Sequence, residues 1–435
     1  MKVTVLGGSG DGAIQGSSFL CEADGGFTFL VDYGMAFLDN GDVAVPEIPA
    51  GKKIDACFIT HAHFDHGGGL PYLMKRFPFM KAVVYSRPTF NLLFPVFVKG
   101  LRNQQARTLK YGPQELHLLK EKSVIVSRTT DKIQMSNGLS ISFIPAGHIR
   151  GAMSVLVHEK SGTTMFSGDI SLDDQTTVRR AQLPGTKINA LFIEGSNGER
   201  FIPPREQVEQ QMCENIRSFV KSGENVIIPA SSISRGADIV FTLAKYGIKV
   251  YVDGSIRQVV RQMLEGNDLS WHDGDTIPVT GANGHPVHYE KRIALIEDSE
   301  REKLLEAKGV VVVTTPANLN SNPGMIYINA WMRDHRNKLV FAGAQHDGTN
   351  SDQLLKISRG ETIHLDGMDI PINGNVIQFP LSAHARSTDV LNHIRAINPK
   401  RVVLTHAEEV ASQSLKKKIN GMRVEVSALN KTYEL

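Results

Sequence analysis

A chain of 435 residues is too long for one compact core, so two domains with separate cores are the starting expectation. Hydrophobic residues make up 41% and charged residues 21%, which excludes a largely disordered chain. The net charge of +3, from 48 basic and 45 acidic residues, neither favours nor excludes a polyanionic partner, because a local basic groove vanishes in the sum.

In chain order, short strands are expected at residues 2–6, 19–22 and 27–31, the last two joined by a hairpin turn at Ala23-Asp24-Gly25-Gly26. The start reads as a strand, not a signal peptide. Residues 54–60 are apolar and partly β-branched, and they end at a histidine cluster. Further strands are expected at 83–85, 123–126, 139–144, 154–158 and 163–166, with a turn at Glu159-Lys160-Ser161-Gly162. From about Pro204 the texture changes. Val208, Met212, Ile216 and Phe219 recur at helical spacing. Apolar strands at 225–229, 249–253, 310–314 and 338–342 then alternate with helical segments such as 237–245 and 257–264, the pattern of an α/β unit with a largely parallel sheet. Val390, Leu391, Ile394 and Ile397 mark a helix, and 401–405 a strand. The simplest organisation is one domain from residues 1–198 and 382–435, interrupted by a second at 199–381. Cys21, Cys57 and Cys213 form no Cys-x-x-Cys pair, so neither disulfides nor a thiolate zinc site is expected. No apolar run reaches the roughly 18 residues of a membrane span. A cytoplasmic protein without a membrane partner is expected.

His61-Ala62-His63-Phe64-Asp65-His66, followed by three glycines, carries the strongest signal. In an extended segment His61 and His63 face the same side and can bind one ion together, while Asp65 and His66 follow where a helix begins. Four nitrogen and oxygen donors in six residues are costly to desolvate unless a metal compensates. More donors stand directly after strand-like runs: His148 in Pro145-Ala146-Gly147-His148, Asp169 in Phe166-Ser167-Gly168-Asp169, and His406 in Val403-Leu404-Thr405-His406. A carboxylate such as Asp169 is a natural bridge, since its two oxygens can serve two ions.

With Phe192-Ile193-Glu194-Gly195-Ser196, the late pair His384 and His406 and the long insertion between, these residues resemble the metallo-β-lactamase superfamily, specifically its β-CASP nucleases. That group includes the endonuclease that matures mRNA 3′ ends and ribonuclease J. The resemblance implies an α/β fold, an αββα sandwich with an inserted β-CASP α/β domain. It implies that His61, His63 and His148 hold one metal and Asp65, His66 and His406 another, with Asp169 bridging and Asp32 supporting the ligands. Two divalent ions are implied. The donor set suits zinc and tolerates manganese. Hydroxide held between the ions would attack phosphorus in line, and His384, held by Glu194, would protonate the leaving group. His384, Glu194 and Asp65 are thus the catalytic candidates. The implied substrate is RNA, single-stranded, cut to 5′-phosphate and 3′-hydroxyl products. A histidine at position 406 accompanies RNA substrates in the family. DNA or a small molecule on the same scaffold is the alternative. A catalytically dead scaffold subunit is disfavoured because no ligand is missing. A homodimer is compatible with this reading.

The family pattern breaks in places. Arg235 is retained as a candidate phosphate contact, with Ser231 and Ser232 beside it, but Ser231 and Ser234 stand where the family carries Phe and Gly. Gly343 to Thr349 keeps the Gly-x-Gln-x-x-Gly-Thr skeleton, but Ser351-Asp352 follows instead of Gly-Arg, and Arg386 replaces an acidic residue. Gly8-Ser9-Gly10-Asp11-Gly12-Ala13, with Asp32 about 20 residues on, mimics a dinucleotide fingerprint. Gly16, Ser17, Ser18 and the hairpin turn leave no space for the helix that motif needs, so no nucleotide cofactor is expected.

Overall fold

Alternate residues of a strand face opposite sides of its sheet, and here both sides are buried. Phe29 and Val31 enter one core and Leu30 another; Val155 and Val157 part from Leu156 in the same way, as Phe192 does from Leu191 and Ile193. The computed structural model describes all residues except 10–15, 39–41, 102–109, 127–131, 136–137, 234, 267–279, 346 and 366. The doubled burial arises because two seven-stranded sheets stack face to face and helices cover their outer faces. The first sheet runs in the order Thr432–Glu434, Lys2–Gly7, Ser18–Glu22, Thr28–Val31, Ala56–Phe58, Ala82–Ser86, Ser123–Val126. The second runs Arg423–Val426, Arg401–Thr405, Ala190–Glu194, Gly162–Phe166, Met153–Glu159, Ser140–Pro145, Lys132–Gln134. Between them lies an aromatic core in which the Phe166 and Phe192 rings stack at 4.9 Å and Phe29 meets Phe58 edge-on at 5.5 Å. Outside pack the helices Leu70–Arg76, Arg87–Gly100 and Pro113–Glu121, and, toward the C-terminus, Ser387–Ile397 and Glu409–Lys418.

A third, six-stranded sheet draws all its strands from Val226 to Phe379, and every ladder in it is parallel. Its core is separate from that of the stacked sheets, with Val226, Ile228, Val250, Val252, Val311 and Val313 on one face. The expected mixture of a sandwich and a parallel α/β unit is therefore found.

Two departures from the expected elements matter for the site. The strand expected at 54–60 is regular only over Ala56–Phe58, because the Thr60 N–H leaves the ladder to bond Asp32 Oδ1 at 2.7 Å. The helix Arg87–Gly100, with Pro95 inside it, had no clear helical signal. Of the dinucleotide-like stretch, residues 10–13 lie outside the described residues, as do Ser234 and His346. No helix of the described residues is long and apolar enough to cross a membrane.

Candidate metal centre and active site

The candidate ligands all leave the sheets at one edge. His61 and His63 follow Ala56–Phe58, Asp65 and His66 lie in the short helix Phe64–Gly67, and His148, Asp169 and His406 each lie within three residues of a strand end. Asp32, His148 and His406 adopt left-handed backbone, with φ of 61°, 56° and 49°. Such conformations cost on the order of 1–3 kcal/mol each and persist where the surroundings over-determine them. Here they turn the side chains back over the sheet edge.

The donors converge. His63 Nδ1 lies 3.1 Å from His61 Nε2 and 3.1 Å from His148 Nε2. Asp169 stands in the middle, its Oδ2 3.5 Å from both His61 and His148. Its Oδ1 is 3.4 Å from His66 Nε2 and 3.2 Å from His406 Nδ1. His406 Nε2 in turn lies 3.1 Å from Asp65 Oδ2. Three groups among the described residues, His61-His63-His148-Asp169, Asp65-His66-His406 and Asp169-Glu194-His384, each bring their ligand atoms within 4.8 Å of one another. All seven residues expected as metal ligands thus come together.

Do these residues fit a cation? Both oxygens of Asp169 and Nε2 of His66 are buried without a hydrogen bond among the described residues. Buried polar atoms of that kind are rare and costly. Their charges are also tuned toward ligation. Burial pushes the His61, His63 and His148 imidazoles down toward the neutral, ligating form. Burial opposes the charge on Asp169, but His406, His66 and His61 hold its carboxyl well below the usual range. The donor chemistry, the orphaned atoms and the convergence all fit divalent metal.

The outward nitrogens of three imidazoles are held from behind, as ligating histidines require. Asp32 Oδ2 lies 2.7 Å from His66 Nδ1, and Asp32 also accepts from the Thr60 hydroxyl at 2.8 Å. Thr60 Oγ1 is 3.0 Å from His61 Nδ1, and His148 Nδ1 donates to the Ala383 carbonyl at 3.1 Å. Asp32 was anticipated; Thr60 and Ala383 were not, since a hydroxyl and a backbone carbonyl leave no sequence signal. The Asp32 carboxylate is thereby engaged by His66 and Thr60.

Beside the cluster, His384 Nδ1 lies 3.1 and 3.0 Å from the two oxygens of buried Glu194. Glu194 also accepts from the Ile170 N–H at 2.8 Å and the Ser196 hydroxyl at 2.5 Å. Burial lowers the affinity of the His384 imidazole for its proton, but the Glu194 carboxylate outweighs it, and the pKa rises to about 9. Its ring sits 4.6 Å from that of His148.

The expected substrate contacts are differently disposed. Arg235 Nη1 donates to the Leu381 carbonyl and packs on Gly343. Ser231 and Ser232 are half-buried, and Ser232 lines a cleft with Arg235, His148, Arg150 and Gln175. Asp352 bonds the Gly348 N–H at 3.0 Å at a helix start capped by Thr349, and Arg386 pairs with Asp389 and Asp173.

Comparison with known proteins adds the following. Residues 11–204 match a family model described as the metallo-beta-lactamase superfamily, and residues 369–429 one described as a Zn-dependent metallo-hydrolase RNA specificity domain. The chain is 28% identical over 376 residues to a protein of Methanocaldococcus jannaschii named "Probable RNase MJ4", covering 84% of each. It is 24% identical over 425 residues to "Cleavage and polyadenylation specificity factor subunit 3-I" of Arabidopsis thaliana, covering 94% of this chain and 60% of that longer protein. A crystal structure of a protein of unknown function from Enterococcus faecalis V583 superposes over 100% of both chains with a TM-score of 0.62 at 16% identity, a likeness of fold.

Proposed function

We propose that this chain, which belongs to the β-CASP nucleases of the metallo-β-lactamase superfamily, is a metal-dependent ribonuclease. The observation that carries the reading is the pairing of a seven-donor cluster, centred on two unbonded Asp169 oxygens, with the His384 imidazole held by Glu194 at its rim. The ribonuclease name of the Methanocaldococcus jannaschii relative and the RNA specificity model support RNA over other phosphodiesters.

In this reading His61, His63 and His148 would hold one ion and Asp65, His66 and His406 a second, with Asp169 available to either. Zinc is the preferred metal, from the all-nitrogen-and-oxygen donor set. Bound ions supply Lewis acidity toward a phosphoryl oxygen and lower the pKa of water. The chain's own residues do the rest. Asp32, Thr60 and the Ala383 carbonyl fix ring orientation, so the ligands need little rearrangement. Glu194 keeps His384 charged at neutral pH, so its free Nε2 can protonate the departing 3′-oxygen. The products are a 5′-phosphate and a 3′-hydroxyl. Residues 1–198 with 382–435 form the catalytic body, and 199–381 cover a strand of RNA lying across it.

The test is turnover of labelled RNA, single-stranded DNA and a generic lactone by purified protein with zinc or manganese. RNA fragments bearing 5′-phosphates are expected. Hydrolysis of the lactone alone would overturn the reading.

A further inference from the structure

Two arginines of the insertion converge on the segment that delivers His384. Arg205, buried at the start of the helix Arg205–Lys221, donates Nη1 to the Ser382 carbonyl at 3.0 Å. Arg235 donates to the carbonyl of the preceding residue, Leu381. Ser382 is no bystander. Its hydroxyl oxygen accepts the His384 N–H at 3.1 Å and the Asn197 side-chain amide at 3.1 Å. The same amide reaches the carbonyls of His384 and Ala385, both at 3.2 Å.

Arg205 is itself held. Arg205 Nε pairs with Glu209 at 2.6 Å and Nη2 with Asp238 at 2.6 Å. The other Asp238 oxygen accepts from the Thr177 N–H at 2.7 Å and hydroxyl at 2.9 Å, in the loop between Gly162–Phe166 and Ala190–Glu194. The cluster therefore ties three pieces of chain: the insertion, the stacked-sheet body and the crossover returning toward His384.

A buried charge cluster of this kind is a poor source of stability, since desolvation consumes most of the Coulombic gain. Its geometric yield is larger. A planar guanidinium fixes several acceptors at once, which an ammonium cannot do. We infer that Arg205 and Arg235 are positioning residues for the proton donor, gripping consecutive carbonyls of the crossover so that His384 faces the leaving group only when the insertion is seated. This rests on the nuclease reading above and assigns Arg235 a role through His384 instead of direct contact with phosphate.

A leaving group that needs no proton separates the possibilities. Arg205→Lys, Arg235→Lys and Arg205→Gln are compared with His384→Ala on RNA and on a p-nitrophenyl phosphodiester of a nucleotide. Metal content and melting temperature are measured alongside. Both lysine variants keep the buried charge and are expected to fold with full metal. Their kcat on RNA should fall about tenfold or more, on the scale of misplaced catalytic groups, with KM near wild type. Hydrolysis of the nitrophenyl ester should stay close to wild type in them, as in His384→Ala. Equal loss on both substrates, or full RNA activity in both lysine variants, would overturn the inference. A wild-type protein that leaves RNA intact but hydrolyses the ester would sink the ribonuclease reading, and the positioning role with it.

Discussion

His384 touches Glu194 through one nitrogen and no closer than 3.9 Å to Asp169, so its removal should leave the ligand set whole. For His384→Ala we expect metal content unchanged and RNA cleavage down by about 100-fold or more, the scale of general-acid catalysis. Metal analysis and single-turnover kinetics on one preparation check both halves. A different histidine makes stability depend on pH. His393, 6% exposed in the helix Ser387–Ile397, has a pKa lowered by burial to about 4 from an ordinary 6.5. The unfolded chain takes up this proton first as pH falls, so the contribution of a neutral His393 is complete above pH 6.5 and drains away toward pH 4. The loss approaches about 3 kcal/mol for a shift of this size. In His393→Leu, urea midpoints measured at pH 7 and pH 4.5 should lie closer together than in the wild type.

Elements meet tightly beneath Asp65. A Cβ on Gly34 would lie 1.9 Å from the Asp65 carbonyl oxygen, and one on Gly16 2.3 Å from the Gly34 backbone. Gly34→Ala must therefore displace the helix Phe64–Gly67, carrying Asp65 and His66 with it. A protein that folds but retains less than its full metal complement is expected, read by metal analysis and circular dichroism. The converging donors were legible in sequence because metal chemistry restricts donor types and because four of them sit within six residues. His148, Asp169 and His406 were legible because each stands just beyond an apolar strand. The helix Arg87–Gly100 was hidden by near-continuous apolar residues and by Pro88 and Pro95, which punctuate a sequence as breakers although Pro88 only opens the helix. The strands Arg423–Val426 and Thr432–Glu434 were hidden for another reason. They are short and charged, and the second pairs with Lys2–Gly7 from the far end of the chain, a contact that leaves no local trace. Arg205 and Asp238 carry no local sequence signal, since only the tertiary fold buries them.

Across the molecule, the two seven-stranded sheets both send donors to one edge, His61 and His63 after a strand of the first, His148, Asp169 and His406 after strands of the second. Chelation should therefore act on the whole stacked-sheet body. A ligand present at 100 times its Kd contributes about 2.7 kcal/mol, and roughly 2–4 °C of melting temperature accompanies each kcal/mol in a domain of about 200 residues. Stripping metal should lower the melting temperature by about 5–10 °C and abolish RNA cleavage, with both restored by zinc or manganese; scanning calorimetry and the cleavage assay check this together.

His61 to His66 emerge early from the ribosome, but His406, which touches both Asp65 and Asp169, follows 340 residues after His66. At roughly 5–20 residues per second, that interval is about 20–70 s of translation. Throughout it the nascent polypeptide lacks His406, and for all but its last 22 residues it lacks His384 as well. The seven-donor cluster can close only once His406 has been made.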